Sequence, residues 1–248
     1  MNEKKKAGRP VGRPPATATR KRILDAAETL FAERGFDGVT VRQITAAAGV
    51  DTALAHHHFG SKQDLFARVL LRRAEVHMKE RDAAMSRCIE DADGSPTLRD
   101  VLLAYVRPYL DRARSSEKGW RTYFKLLAKA NTSPEWASEV FNDQFDPFVR
   151  RFIDAMRRAV PDVPEERYFW AYHFLSGALV LTFADTGRID RLSGGVCSSS
   201  DFETGFLYLI PFMEAGVEAI LRGERPLPEL TGGTPAKTAR KSSVRKTG

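Results

Sequence analysis

Three consecutive histidines, His56, His57 and His58, are the side chains in this 248-residue sequence that most directly invite chemistry. Imidazoles ligate metals, but neighbours on a helix point about 100° apart, so three in a row cannot converge on one ion. The two cysteines, Cys88 and Cys197, are too few for a zinc site or a disulfide framework. There is no Gly-rich phosphate loop and no nucleophile elbow. The acid pair Glu165 and Glu166 falls where a helix start favours negative charge. The sequence therefore argues against an enzyme, a metal site or another cofactor. The histidines lie instead in the stretch TVRQITAAAGVDTALAHHHF, Thr40 to Phe59, whose spacing is that of a helix-turn-helix. Gly49 supplies the tight turn, Ala46, Ala47 and Ala48 allow close approach, and Ile44, Val50 and Leu54 are placed to pack on a preceding helix. The second helix of such a unit offers its outward side chains to a DNA major groove. His58 is expected to be buried against the bundle.

The elements that position this unit are equally legible. Ile23, Ala26, Ala27, Leu30 and Phe31 form one apolar stripe at helical spacing, ended by Arg34 and Gly35. Thr40 with Gln43 and Ser61 with Asp64 have the spacing of capping boxes, and Asp51 can cap a short helix from about Thr52 to His58. The helix after Ser61 should continue to about Ile89. Further periodic segments lie near 97–114, 117–130, 135–159, 165–184 and 202–222. Pro108, Pro147 and Pro211 predict kinks or shorter helices in three of them. No alternating strand pattern of useful length appears, so the expected fold is all-α with about nine helices. No apolar run approaches the roughly 20 residues that span a bilayer.

Charge is divided along the chain. The net +7 hides a balance of eight basic residues against one acid in 1–22, five against none in 231–248, and 26 against 31 in between. A mildly acidic body with basic ends suits a protein that handles a polyanion. Gly8-Arg9-Pro10 and Gly12-Arg13-Pro14 repeat a unit similar to the core of an AT-hook, whose arginine enters a narrow minor groove. Deleting residues 1–15 is expected to weaken DNA binding and flatten its salt dependence, because fewer counterions are released. An unchanged slope of affinity against salt would remove Arg9 and Arg13 from the interface.

The stretch TRKRILDAAETLFAERGF, Thr19 to Phe36, resembles the opening of TetR/AcrR-family regulators. So do Gly49-Val50, His58-Phe59-Gly60-Ser61-Lys62 and Leu65-Phe66. The resemblance covers about residues 17–70. It implies that Thr40 and Lys62 bind phosphate and that Arg42, Thr52, Ala53 and His56 face base edges. His57 stands where the family often has a phosphate-bonding tyrosine; a histidine would make that bond better when protonated. From Tyr168 to Gly216 the sequence is loosely similar to the C-terminal domain of the PsrA-like branch, through Phe169-Trp170, His173-Phe174, Gly177-Ala178 and Ile210-Pro211-Phe212-Met213. That similarity implies a hydrophobic or acyl-type effector.

The expected organisation is a disordered basic arm (1–16), a DNA-binding domain (17–64), a ligand-binding and dimerisation domain (65–225) and a basic tail (226–248). Trp120, Tyr123, Phe124 and Leu127, with Phe148 and Phe152, and Trp170, His173, Phe174 and Gly177 are candidates to line an apolar pocket, with plain core packing as the bland alternative. Ala171, Leu175 and Ala178, with Phe206, Leu209, Phe212, Met213 and Val217, are the expected dimer face. A dimer is needed because one recognition helix reads few base pairs, and paired half-sites supply specificity. The expected partners are a double-stranded operator, a small effector and a second copy, with no membrane and a cytoplasmic location. The competing readings are a sequence-indifferent architectural DNA binder and an activator of the same fold.

Overall fold

The computed structural model describes residues 16–117, 119–131 and 135–223 and, within the seventh helix, side chains from Gln144 onward. Arg9, Arg13 and both basic tails lie outside the described residues. Within them there are ten α-helices and no strand: α1 Ala16–Arg34, α2 Val41–Ala48, α3 Thr52–Phe59, α4 Lys62–Asp91, α5 Leu98–Arg114, α6 Trp120–Ala130, α7 Glu135–Ala159, α8 Glu165–Ala184, α9 Arg188–Leu192 and α10 Phe202–Arg222. The helix beyond the expected nine is the single turn and a half of α9, ahead of the Gly/Ser-rich segment.

The local reasons are those of the sequence. Gly35 turns left-handed after α1, with φ 74°, and Phe36 folds back so that its ring lies 6.1 Å from Phe31 and 5.5 Å from Phe66. Both capping boxes form, Thr40 with Gln43 and Ser61 with Asp64, and Asp51 caps α3 by accepting from the Ala53 N–H at 2.7 Å. Pro108, Pro147 and Pro211 do not end their helices. Lacking an N–H, Pro108 leaves the Ala104 carbonyl without its helical donor, a cost the surrounding packing absorbs. α6 begins at Trp120 because Gly119, at φ 98°, breaks the chain direction just before it.

One continuous core runs from Ile23 in α1 to Leu221 in α10. α4 belongs to both ends: Leu65 and Phe66 pack under the first three helices, while His77, Arg81 and Met85 reach the centre of the body. α10 carries a segment as long and apolar as a membrane span, with mean hydropathy 1.4, which corrects the expectation that no such run exists. The helix lies against α8 and α5, burying Phe202, Phe206, Leu209, Met213, Val217 and Leu221 and leaving Leu207, Tyr208 and Phe212 open.

Candidate nucleic-acid interface and buried polar cluster

The turn between α2 and α3 is held from below. Gly49 is left-handed at φ 63°, and Arg22 on α1 donates to the Gly49 carbonyl at 2.9 Å and also to that of Ala48. The Val50 N–H closes onto the Thr45 carbonyl at 3.0 Å. Arg22 is a clamp that the sequence analysis missed; its position immediately before the apolar stripe, among other basic residues, gave no sign of it.

Thr40, Arg42, Ala53, His56 and His57 are exposed, and Ala53, His56 and His57 share one face of α3 by helical spacing. His56 Nδ1 lies 3.1 Å from the Gly60 carbonyl. A carbonyl can only accept, so Nδ1 is the donor in this bond. Thr52 is a correction. It is half-buried, and its hydroxyl pairs with the buried Thr45 hydroxyl at 3.0 Å, which in turn donates to the Arg42 carbonyl at 3.1 Å. Thr52 thus joins the two helices instead of facing outward. His58 is also corrected: it is half-buried, and Ala55 and Phe59 are the α3 residues that enter the core. Lys62 is half-buried with its ammonium 4.1 Å above the Phe36 ring, which fixes the cation beside the N-terminal turn of α4.

A chain of charges joins this head to the body. Glu28 on α1 is 5% exposed; burial pushes its carboxyl above the usual range, and Arg73 and Arg72 partly offset this. Arg73 Nε reaches Glu28 at 3.1 Å and its Nη1 reaches Glu117 at 3.4 Å. Glu117 also accepts from Arg112 at 3.1 Å, and Arg112 grips Glu80 through two nitrogens. The Trp120 ring lies 5.2 Å from the Arg73 guanidinium and 4.4 Å from that of Arg112. Lys129 adds a bond from α6 to the Glu33 carbonyl at 2.7 Å.

The aromatic candidates in the body separate into two places. Trp120, Tyr123, Phe124, Leu127, Phe148 and Phe152 are all buried and meet around α4. His77 lies 6.1 Å from Tyr123 and 5.5 Å from Phe124, and Tyr105 lies 4.2 Å from Phe152. Trp170, His173, Phe174 and Gly177 are instead exposed on the outer face of α8, with Trp170 stacked 5.7 Å from Phe174. They cannot line a chamber with Tyr123, because the inward face of α8 is Tyr168, Ala171, Leu175, Leu179 and Phe183.

The expected dimer face is likewise one step out of phase. Ala171, Leu175, Phe206, Leu209, Met213 and Val217 are buried inside the protomer and Ala178 is half-buried; Phe212 alone of that set is exposed, at 68%. Both helices are apolar over most of their circumference, so spacing alone did not select the inward stripe. The large apolar side chains left open on these two helices are Phe169, Trp170, Phe174 and Leu181 on α8 with Leu207, Tyr208 and Phe212 on α10. A groove of about 800 Å³ between α4 and α5 is lined by Glu80, Asp91, Asp100, Asp111 and several arginines, and is not the expected apolar pocket.

His77 in the buried cluster is wholly enclosed, and neither ring nitrogen has a hydrogen-bond partner. Burial, then the charges of Arg81 and Arg112, hold its pKa well below the ordinary 6.5. With the folded value depressed, the unfolded chain takes up a proton that the folded chain refuses. This contribution to stability is full above about pH 6.5 and is lost as the pH falls, by about 1.4 kcal/mol per unit. Denaturation between about pH 7 and 5 should show that slope, and His77→Phe should remove one proton's share of it. An identical slope in the variant would contradict the assignment.

A clamped helix-turn-helix carried on a helical body, with one long helix shared by both, is the architecture of a DNA-binding regulator. Residues 23–69 match the family model of bacterial regulatory proteins, tetR family, and residues 103–216 match the tetracyclin repressor-like C-terminal domain. The chain belongs to the TetR family. The HTH-type transcriptional repressor Rv1474c of Mycobacterium tuberculosis is 45% identical over 152 residues, 55% of this chain and 77% of that protein. The HTH-type transcriptional repressor KstR2 of Rhodococcus jostii is 44% identical over 63 residues, 23% of this chain; the chain covers 31% of that repressor's length. A TetR-like transcriptional regulator from Rhodococcus sp. RHA1 shares the fold, with a TM-score of 0.58 at 18% identity over 86% of this chain and all of that one.

Proposed function

We propose that this chain is a homodimeric transcriptional repressor that binds an inverted-repeat operator and is released by a small apolar effector. The observation that carries the reading is the exposed set Thr40, Arg42, Ala53, His56 and His57, held rigid by Arg22 and flanked by Lys62. Thr40 and Lys62, at the starts of α2 and α4, suit phosphates, and His57 adds a third phosphate contact. Arg42, Ala53 and His56 face base edges. Residues 17–64 form the DNA-binding domain and 65–225 the sensing and dimerising domain, with 1–16 and 226–248 as basic extensions.

The dimer forms through Trp170, Phe174, Leu181, Leu207, Tyr208 and Phe212, whose exposure on one protomer supports a two-fold face. Both recognition helices are then fixed relative to each other. An effector entering the buried cluster around His77 and Arg81 shifts α4, and Arg73, bonded to Glu28, passes the shift to the head. Linkage requires DNA to weaken effector binding by the same factor.

Competition binding tests the reading. DNA from the chain's own upstream region should outcompete random duplex by about 10³-fold or more. Arg42→Ala should cost about ten-fold and relax the preference at one base pair per half-site. Equal competition by random duplex would favour a sequence-indifferent binder.

A further inference from the structure

Arg81 on α4 is 2% exposed, yet no acidic side chain pairs with it among the described residues. Its neighbours in sequence are engaged elsewhere: Glu80 pairs with Arg112 and Asp82 with Arg151. The guanidinium carbon lies 4.0 Å from the ring centre of Phe148, 4.4 Å from that of Tyr105 and 4.7 Å from that of Tyr109. Tyr105 is also a hydrogen-bonding neighbour, but Nε and Nη2 have no hydrogen-bond partner. These two N–H groups lie along one edge of the planar group. They form the fork that takes both oxygens of a carboxylate side-on.

More unpaired polar groups share the same interior. The Tyr123 hydroxyl and both His77 ring nitrogens are buried without partners. A cation removed from water without a counter-ion is costly, and aromatic faces recover only part of the cost. Buried polar groups without partners ordinarily have a reason, and several around one cation share one. The surroundings are aromatic, and Arg81 is the cation among them without an acidic partner, since Arg73 and Arg112 at the Trp120 edge are paired with Glu28, Glu80 and Glu117. A second negative charge on a ligand would have nothing to pair with, and an ammonium would meet Arg81.

We propose that Arg81 anchors the effector, and that the effector is a small apolar monocarboxylate held side-on by Nε and Nη2, with Tyr123 or His77 adding a hydrogen bond. The apolar body takes the place of part of the Tyr105, Phe148 and Phe152 packing. This deepens the sensor reading above and rests on it, but it is measured without DNA, so it and operator binding can fail separately.

The test uses the full chain and four probes: octanoate and 3-phenylpropanoate, with octanol and 3-phenylpropanol as neutral matches. Titration calorimetry and thermal unfolding should show at least one carboxylate binding about ten-fold or more tighter than its alcohol, and raising the melting temperature. Arg81→Gln should abolish that preference while leaving the ligand-free protein as stable as the parent or more so. Should Arg81→Gln fail to fold, Arg81→Lys keeps the charge without the fork and should bind the carboxylate about ten-fold more weakly. Carboxylate and alcohol acting alike on the parent protein, including neither acting, would overturn the proposal. So would a preference that survives Arg81→Gln, or an affinity unchanged in Arg81→Lys.

Discussion

Phe212→Glu should turn the protein into a monomer and lower operator affinity by on the order of 10²-fold or more, through lost bivalency. Phe212 is 68% exposed in the protomer and is not among its buried core residues, so the substitution should leave the melting of an isolated protomer nearly unchanged. In a two-fold dimer the same change occurs twice, setting two carboxylates into one apolar patch. Each would be stripped of water with no cation on the described face of α8 or α10 beside it, where the neighbours are Leu207, Tyr208, Pro211 and Ala215. Analytical ultracentrifugation reads the oligomeric state, and fluorescence anisotropy with a duplex from the upstream region reads the affinity. A Phe212→Glu protein that remains dimeric would move the interface elsewhere.

The second large effect is on stability. Phe31 has no exposed surface, and its ring meets Phe66 edge-on at 5.1 Å and stacks on Phe36 at 6.1 Å. It joins α1 to the first turns of α4, so the three-helix head closes around it. Phe31→Ala should cost about 3–5 kcal/mol, the usual range for deleting a buried aromatic ring. That is a large share of the roughly 5–15 kcal/mol that holds a domain together. Because the lost contacts are in the head, the variant should lose DNA binding before the body unfolds. Denaturant unfolding followed by circular dichroism measures the cost. A change below about 1 kcal/mol would mean that the head repacks freely, against the density expected of a core.

The head was readable because each of its decisions is local. A threonine three residues before a glutamine, a serine three before an aspartate and a glycine at the turn each fix a backbone conformation with neighbours already in sequence. Those signals set the starts of α2, α3 and α4, and hence the surface carrying Arg42, His56 and His57. Thr52 was misplaced because its partner, Thr45, is reached only when the two helices cross.

The body was less readable for a physical reason. α8 and α10 are apolar nearly all round, with one face for the protomer and another left open, so the stripe of Ala171, Leu175 and Phe206 could not be told from that of Trp170, Phe174 and Phe212 by spacing. The buried polar cluster was half legible. Trp120, Tyr123 and Phe124 were candidates, and all three rings border His77. Its polar centre was overlooked, although His77 and Arg81 follow Leu70 and Ala74 at helical spacing on the buried face of α4. A histidine and an arginine on an apolar stripe were the available signal.

Footprinting of the full-length protein on its own upstream DNA, combined with sedimentation of the complex, tests the central claim most directly. The account predicts two protected half-sites in inverted orientation, about one helical turn apart, occupied by two protomers, with affinity collapsing when either half-site is scrambled. A single asymmetric site held by one protomer, or protection indifferent to sequence, would contradict it.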